Sequence, residues 1–494
     1  MGLFNCFSSR PKFLLFVSLA LIFSSFVTFF LVPIVIKSSI VKSLPLINSS
    51  SSRTFDKWES VPISIITKFY LFNITNPEEV EKHGRPPTVQ ELGPYTFSES
   101  RKKINISWSD DLNLVEYGQQ RTWHFLPHLT NGSLEDNIYH LNVPMVAAGY
   151  SIKSWGGSRI AYFGLNQIIK ATKSRLIPSH TVGQLLFEGY DDPLITFSRT
   201  IGMPVPYDKF GWFYGRNGTV SDGTFGVYTG LSNVNHLDAM YSWNNQTSLS
   251  LWWGDKCNSL SGISASDFQP PLQEGPFSSI KIFVGDICRS LELPYDKTVI
   301  KHGVKAYRYA ASSNLFNYTV KNNRCYCNNN ACPPDGVADI SPCQHGSPAA
   351  ASLPHFLFGD ASLYERVHGL HPDLDRHEFF MDIEPTLGIP TKVKVAMQIN
   401  VLLERDDNLE YARSLPFESS YFPMIWFSAG AELDESMASQ VRLLQSLGLI
   451  LNVSAAIQAS IAIIVFMITI IFYRSQLFST EKHHLVPTED SDDS

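Results

Sequence analysis

The chain has 494 residues, 44% of them apolar, 13% aromatic and 17% charged, with a formal net charge of −7. That length suffices for one large domain or two or three smaller ones. No basic tract points to nucleic acid, and the only acidic block is the extreme C-terminus, so a nucleic-acid binder and a solvating acidic protein are both excluded.

Phe13 to Ile36 is a run of 24 residues without a charge. As a helix it reaches about 36 Å, enough for a hydrocarbon core of roughly 30 Å. A cleaved signal peptide would end in small residues at its cleavage site. Here the run ends Val32-Pro33-Ile34-Val35-Ile36-Lys37, so an uncleaved anchor is expected. Leu449 to Phe472 is a second such run, closed by Tyr473-Arg474. The expected organisation is a cytosolic tail over 1–12, a span over 13–36, an extracellular or luminal ectodomain over 37–448, a span over 449–472 and a cytosolic tail over 473–494.

Positive charge flanks the first span on both sides, Arg10 and Lys12 against Lys37 and Lys42, whereas Arg474 favours a cytosolic C-terminus. Glycosylation acceptors settle the orientation. N-x-S/T sequons stand at Asn48, Asn73, Asn105, Asn131, Asn217, Asn245 and Asn317, with an eighth at Asn452 inside the second span and none in the tails. Cys6 lies beside the bilayer on the cytosolic side, where palmitoylation is the functional reading and a free thiol the alternative.

From Val61 onward the loop reads as short strands broken by turns: Lys68-Phe-Tyr-Leu-Phe72, then Gly93-Pro94-Tyr95-Thr-Phe97, then Arg121-Thr-Trp-His-Phe125. The period then changes. Leu165, Ile168, Ile169 and Thr172 share a face at helical spacing, and Thr181 with Gln184 makes a capping box ahead of Leu185-Leu-Phe187. Residues 140–190 are therefore expected to form a helical insert. Its basic residues are Lys153, Arg159, Lys170, Lys173 and Arg175, with His180 added below pH about 6.5. Strands return after residue 195, and Thr391 to Glu404 is the clearest of them, with Val393, Val395, Met397, Ile399 and Val401 on one face.

Six of the seven cysteines fall within 257–343: Cys257, Cys288, Cys325, Cys327, Cys332 and Cys343. In an oxidising compartment an even set amid Asn, Pro and Gly reads as a disulfide framework, with 15 connectivities open. Zinc is the competing reading, but neither a repeated C-x2-C nor closely spaced histidines accompany these cysteines. No G-x-S-x-G, Walker, Rossmann or H-E-x-x-H pattern occurs. Asp382 and Glu384 read as polar strand-end structure, and His355, His368 and His371 as surface or satisfied core. No catalytic residue, metal or cofactor is expected.

Several segments in order resemble the class B scavenger receptor family. They are Phe69-Tyr-Leu-Phe-Asn-Ile-Thr-Asn-Pro-Glu-Glu-Val80, Glu91-Leu-Gly-Pro-Tyr-Thr-Phe97, Trp252-Trp-Gly-Asp-Lys-Cys257, Asp286-Ile-Cys-Arg-Ser290, Gly336-Val-Ala-Asp-Ile-Ser-Pro-Cys343, Ser352-Leu-Pro-His-Phe356 and Asp382-Ile-Glu-Pro-Thr-Leu-Gly388. The resemblance implies an α+β fold: a large antiparallel β-barrel-like ectodomain with a helical cap, anchored by one transmembrane helix at each end. It also implies the bridges Cys257–Cys325, Cys288–Cys343 and Cys327–Cys332, and a lipid-sized tunnel toward the membrane.

In the family the cap receives ligands, which maps here onto 140–190. Lys173 falls at one of two cap-lysine positions of the fatty-acid-binding members, and Ala171 occupies the other, with Lys170 adjacent. The implied role is a receptor for lipids, fatty acids, lipoproteins or polyanionic ligands at the cell membrane, with both tails cytosolic; a homo-oligomer is compatible with it. The alternative is a lysosomal membrane protein that sorts a lysosomal hydrolase. For that reading Glu481-Lys-His-His-Leu485-Val486 resembles an acidic dileucine signal, with Val486 in place of the usual second Leu or Ile.

Overall fold

The charge-free runs become long helices at the two ends of the chain. The computed structural model describes residues 2–484 except 48–52, 62, 203–204, 206, 266, 273–274 and 329–330. Asn48, Leu485 and Val486 therefore lie outside the described residues, and Cys6 and Glu481 are placed only as helical positions.

Gly2–Phe26 and Val32–Ser43 are α-helical, joined by a π-helical turn at Val27–Leu31. The turn immediately precedes Pro33, which has no N–H to donate and whose ring crowds the carbonyl of Phe29; the wider turn relieves that clash. Glu435–His484 is one continuous helix. Lys12–Ser43 and Glu435–Ser475 are long and apolar enough to cross a membrane, so the expected spans lie within longer helices.

Together the two terminal segments form one unit, and Leu44–Glu435 forms another. Inside the first, Gln458 Oε1 accepts from Ser24 Oγ at 3.1 Å and from Thr28 Oγ1 at 3.4 Å, and Ser25 Oγ donates to the Ala455 carbonyl at 2.8 Å. In hydrocarbon such polar groups must find protein partners. Buried Ala455 and Ala462, seven residues apart, are small enough for backbones to approach there.

The central unit is built on strands β1 (Ile65–Ile74), β2 (Val89–Trp108), β3 (Leu114–Phe125), β4 (Asn137–Tyr139), β5 (Ser179–Thr181), β6 (Thr219–Tyr228), β7 (Met240–Trp243), β8 (Ser279–Val284), β9 (Arg289–Lys301), β10 (Val304–Ala310), β11 (Val337–Asp339), β12 (Ala349–Ser352), β13 (Phe380–Ile383), β14 (Pro390–Glu404) and β15 (Ser419–Glu432). β4 and β5 pair with each other; the other thirteen form one antiparallel sheet, in the order β7-β6-β3-β2-β1-β15-β14-β13-β10-β9-β8. β14 is long enough to take β13 on the first half of one edge and β12 on the second, with β11 beyond β12.

The two edge strands of that path are bridged by a short segment. Met240 donates to the Ile263 carbonyl at 2.8 Å, Ser264 to Lys281 at 2.9 Å, and Phe283 to Ser264 at 2.9 Å. Ser264 thereby pairs antiparallel with Ala239 and parallel with Ile282, and the sheet is nearly closed. Closure satisfies the backbone groups that an open edge would expose.

One apolar cluster joins the insert to the sheet. Met145, Val146, Tyr162, Leu165, Leu185 and Leu186 pack with Phe69, Leu71, Ile425 and Trp426, all buried. Each fully buried aliphatic side chain contributes about 1.5–3 kcal/mol. Several buried charged side chains within the unit are paired. Arg121, buried, binds Glu99 at 3.0 Å and Asp222 and Asp286 at 3.2 Å each. Asp382 takes a two-pronged bond from Arg308 at 2.7 and 2.8 Å, and Glu384 Oε2 accepts from the Leu387 N–H at 2.7 Å, so both carboxylates hold structure. Disulfides join Cys257 to Cys325, Cys288 to Cys343 and Cys327 to Cys332.

Candidate functional site

The insert owes its shape to local signals. Asn142 caps the first cap helix, Val143–Ser154, with Oδ1 accepting from the Met145 N–H at 3.0 Å. Gly156 and Gly157, both at positive φ, turn the chain into the second, Arg159–Thr172. Lys173 ends that helix in the left-handed conformation. Thr181 and Gln184 form the expected reciprocal box, at 3.1 and 3.3 Å, although the turn it starts, Gln184–Glu188, is π-helical. Asp192 caps the third cap helix, Pro193–Thr200.

Of the six cap residues expected to meet a ligand, three are occupied in holding the cap to the rest of the unit. Lys153 pairs with Glu404 at 2.9 Å, Lys170 with Glu410 at 2.6 Å, and Arg175 with Glu81 at 2.6 Å. Asn166 adds bonds to the Asn408 carbonyl and the Glu410 N–H. Tyr411 donates to the Met145 carbonyl at 3.3 Å, and its hydroxyl stands where a Cβ on Gly149 would be.

The expectation that His180 adds charge below pH about 6.5 is corrected. His140 Nδ1 lies 2.8 Å from the Leu141 carbonyl and must donate, so His140 Nε2 accepts from His180 Nδ1 at 2.8 Å. His180 also stacks on Tyr190 at 3.6 Å. Burial holds His140 down to about 3, so it stays neutral in mild acid, and burial lowers His180 as well, so its charge appears only below its ordinary range.

Arg159 and Lys173 are exposed and, among the described residues, make no ion pair. They stand at opposite ends of the second helix, about 21 Å apart along its axis. The six residues therefore do not form one basic rim.

Around Arg159 the cap instead shows apolar side chains to solvent: Trp155 is 70% exposed, Ile160 84% and Phe163 64%. Phe197 and Ile201, at the end of the third cap helix, are exposed as well. Helix packing explains the pattern. Tyr162 and Leu165 take the buried face of the second helix, which turns Ile160 and Phe163 outward. The sequence signal was a run of apolar residues beside a Gly-Gly turn, too short to pack on both sides.

One buried group has the composition of a metal site: Glu91, His355 and His377, with ligand atoms within 4.8 Å of one another. The tautomers arrange it for hydrogen bonding. His355 Nδ1 accepts from the His371 N–H and His377 Nδ1 from the Asp373 N–H, both at 3.0 Å. Their Nε2 atoms therefore carry the protons, and His355 Nε2 donates to Glu91 at 2.6 Å. Glu91 also accepts from Trp426 Nε1 at 2.8 Å and pairs with Arg376. Burial alone would raise the Glu91 carboxyl, but those donors outweigh it and hold it at about 2.

A nearly closed antiparallel sheet with disulfides and helices, in a chain with an apolar helix at each end, is the α+β arrangement that the class B scavenger resemblance implies. The comparisons agree. The chain is 31% identical over 417 residues to mouse scavenger receptor class B member 1, covering 83% of this chain and 79% of that one. It is 30% identical over 409 residues to human lysosome membrane protein 2, 82% of each, and 31% identical over 401 residues to protein peste of Drosophila melanogaster, 80% of this chain and 71% of that one. The CD36 family profile matches residues 15–473, and the chain belongs to the CD36 family.

Proposed function

We propose that this protein is a class B scavenger receptor whose central unit lies outside the cytosol, with both tails cytosolic, and that it binds amphipathic, lipid-bearing ligands through the cap surface around Arg159. The observation that carries the reading is the exposed Trp155, Ile160 and Phe163 beside an unpaired guanidinium. Apolar surface of this kind is stabilised by burial at roughly 25 cal/mol per Å2. A cation at its edge selects carboxylate or phosphate neighbours of an acyl chain, or the acidic side of an amphipathic helix. Bound lipid would then pass through the barrel interior toward the bilayer.

The sequons support the outside placement. Asn105, Asn131, Asn217 and Asn245 are exposed; Asn73 and Asn317 are half-buried and accept from the Tyr139 N–H and from Thr319.

The test is lipoprotein or fatty-acid uptake by cells displaying the full-length protein. Replacing Ile160 and Phe163 with Glu should lower uptake about tenfold at unchanged surface level. Arg159→Glu should lower it less and mainly for anionic ligands. Normal uptake by Ile160→Glu/Phe163→Glu would remove the cap from ligand binding. A second reading is a lysosomal membrane protein that sorts a lysosomal hydrolase; the likeness to lysosome membrane protein 2 supports its location only. The location of a tagged full-length chain separates the two, since a chain confined to lysosomes supports the second.

A further inference from the structure

We propose that the cleft over the seam of the sheet is a saccharide-binding site, filled by the core N-acetylglucosamine residues of the glycan on Asn245 of the same chain. This rests on the outside placement of the central unit argued above.

Where the segment at Ser264 bridges the sheet edges, the surface holds an open cleft of about 550 Å3, within the usual range for small-ligand sites. Its walls are the rings of Tyr228, His236, Tyr241 and Phe277. Tyr228 meets His236 at 5.7 Å and Tyr241 edge-on at 5.8 Å, while Tyr241 and Phe277 are 39% and 43% exposed. Between the rings the lining mixes hydroxyl and amide side chains, such as Thr247, Ser279 and Asn235, with apolar ones such as Leu237 and Pro270.

Gln269 lies in the cleft wall, buried, with its backbone N–H fixed on the Gly388 carbonyl at 2.8 Å. The one Lys at the rim, Lys281, lies 3.9 Å from Glu292. Among the described residues no other lysine and no arginine or carboxylate lines the cleft. A pyranose fits an open cleft of this kind: its C–H face packs on aromatic rings while its hydroxyls and acetamide hydrogen-bond at the edges.

The occupant is named by the sequon. Thr247 lines the cleft and is the third residue of Asn245-Gln246-Thr247. Asn244 and Asn245, at φ 49° and 61°, make a tight turn after β7, closed by paired backbone bonds between Trp243 and Gln246 at 2.9 and 3.0 Å. Asn245 is exposed at the tip, with Tyr241 on one arm of the turn and Thr247 on the other, both lining the cleft.

The test uses native full-length protein from a glycosylating host. Endoglycosidase release is followed by glycopeptide mass spectrometry at Asn245, with exposed Asn131 as internal reference. Release at Asn245 should be at least tenfold slower than at Asn131. Tyr241→Ala and Phe277→Ala should each bring it toward the reference rate and leave Asn131 unchanged, which also shows that the fold is intact. Equal rates at both sites in the unsubstituted protein overturn the proposal. So does an unmodified Asn245 beside other occupied sequons, which leaves the outside placement standing; no occupied sequon at all overturns both. Fast release at Asn245 combined with binding of free diacetylchitobiose by the Asn245→Gln protein would overturn the tethered glycan as occupant and assign the cleft to another molecule's sugar.

Discussion

His140 and His377 are each kept neutral by burial, at about 3 and about 4 respectively. Both folded values lie below the unfolded value near 6.5. Their contribution is therefore complete above pH 6.5 and is lost as pH falls toward the folded values, because the unfolded chain then binds protons that the folded one refuses. For His140 this amounts to about 2 kcal/mol at pH 5. Denaturant titrations at pH 7 and pH 5 should show that loss, with a shallower pH dependence in His140→Gln; an equal slope would show that the buried histidines are not its source. Glu91 acts at lower pH, since its carboxylate contributes above the unfolded value near 4.5 and loses that contribution only as pH falls toward 2. Glu91→Ala would leave His355, Trp426 and Arg376 without their common acceptor and should cost about 3–5 kcal/mol, read as a lowered Tm or loss of surface expression.

The cap is held as an element by packing more than by charge. Its ion pairs lie at the surface, where each is worth about 0–1 kcal/mol. Lys153→Glu with Lys170→Glu should accordingly shift Tm by only a few degrees. Gly149 sits where the first cap helix meets Tyr411, with the Tyr411 hydroxyl 2.2 Å from where a Cβ would be and Leu409 Cδ1 at 2.7 Å. Gly149→Val should therefore pry the cap off the Leu409–Ala412 loop at a cost of about 1–3 kcal/mol. Faster proteolysis within the cap would show it, and an unchanged cleavage pattern would refute it. Helical spacing at Leu165, Ile168 and Ile169 was enough to place the second cap helix. What the spacing could not supply was the partners of Lys153 and Lys170, because Glu404 and Glu410 lie 251 and 240 residues away and are brought close only by β14 and the loop after it.

At the scale of the whole molecule the disulfides close loops of very different length. Cys257–Cys325 and Cys288–Cys343 span 68 and 55 residues, Cys327–Cys332 only 5. In the loop-closure description the long bridges contribute about 4 kcal/mol each and the short one about 2. Paired Ser substitution at Cys257 and Cys325 should therefore lower Tm or surface level more than the same change at Cys327 and Cys332; the reverse order would place the short bridge under a different constraint.

The sequence by itself determined what depends on neighbours along the chain. It determined the two apolar spans, since length and absence of charge are enough to cross a bilayer, the alternation of β14, the capping box at Thr181 and Gln184, and membership in the family through motifs in order. Only the tertiary structure decided which cations are free and which are spent, that His180 turns toward His140, that Trp155, Ile160 and Phe163 face water, and that residues near 264 close the sheet. Each of these depends on groups far apart in sequence being brought within a few ångströms, and neither composition nor periodicity carries that information.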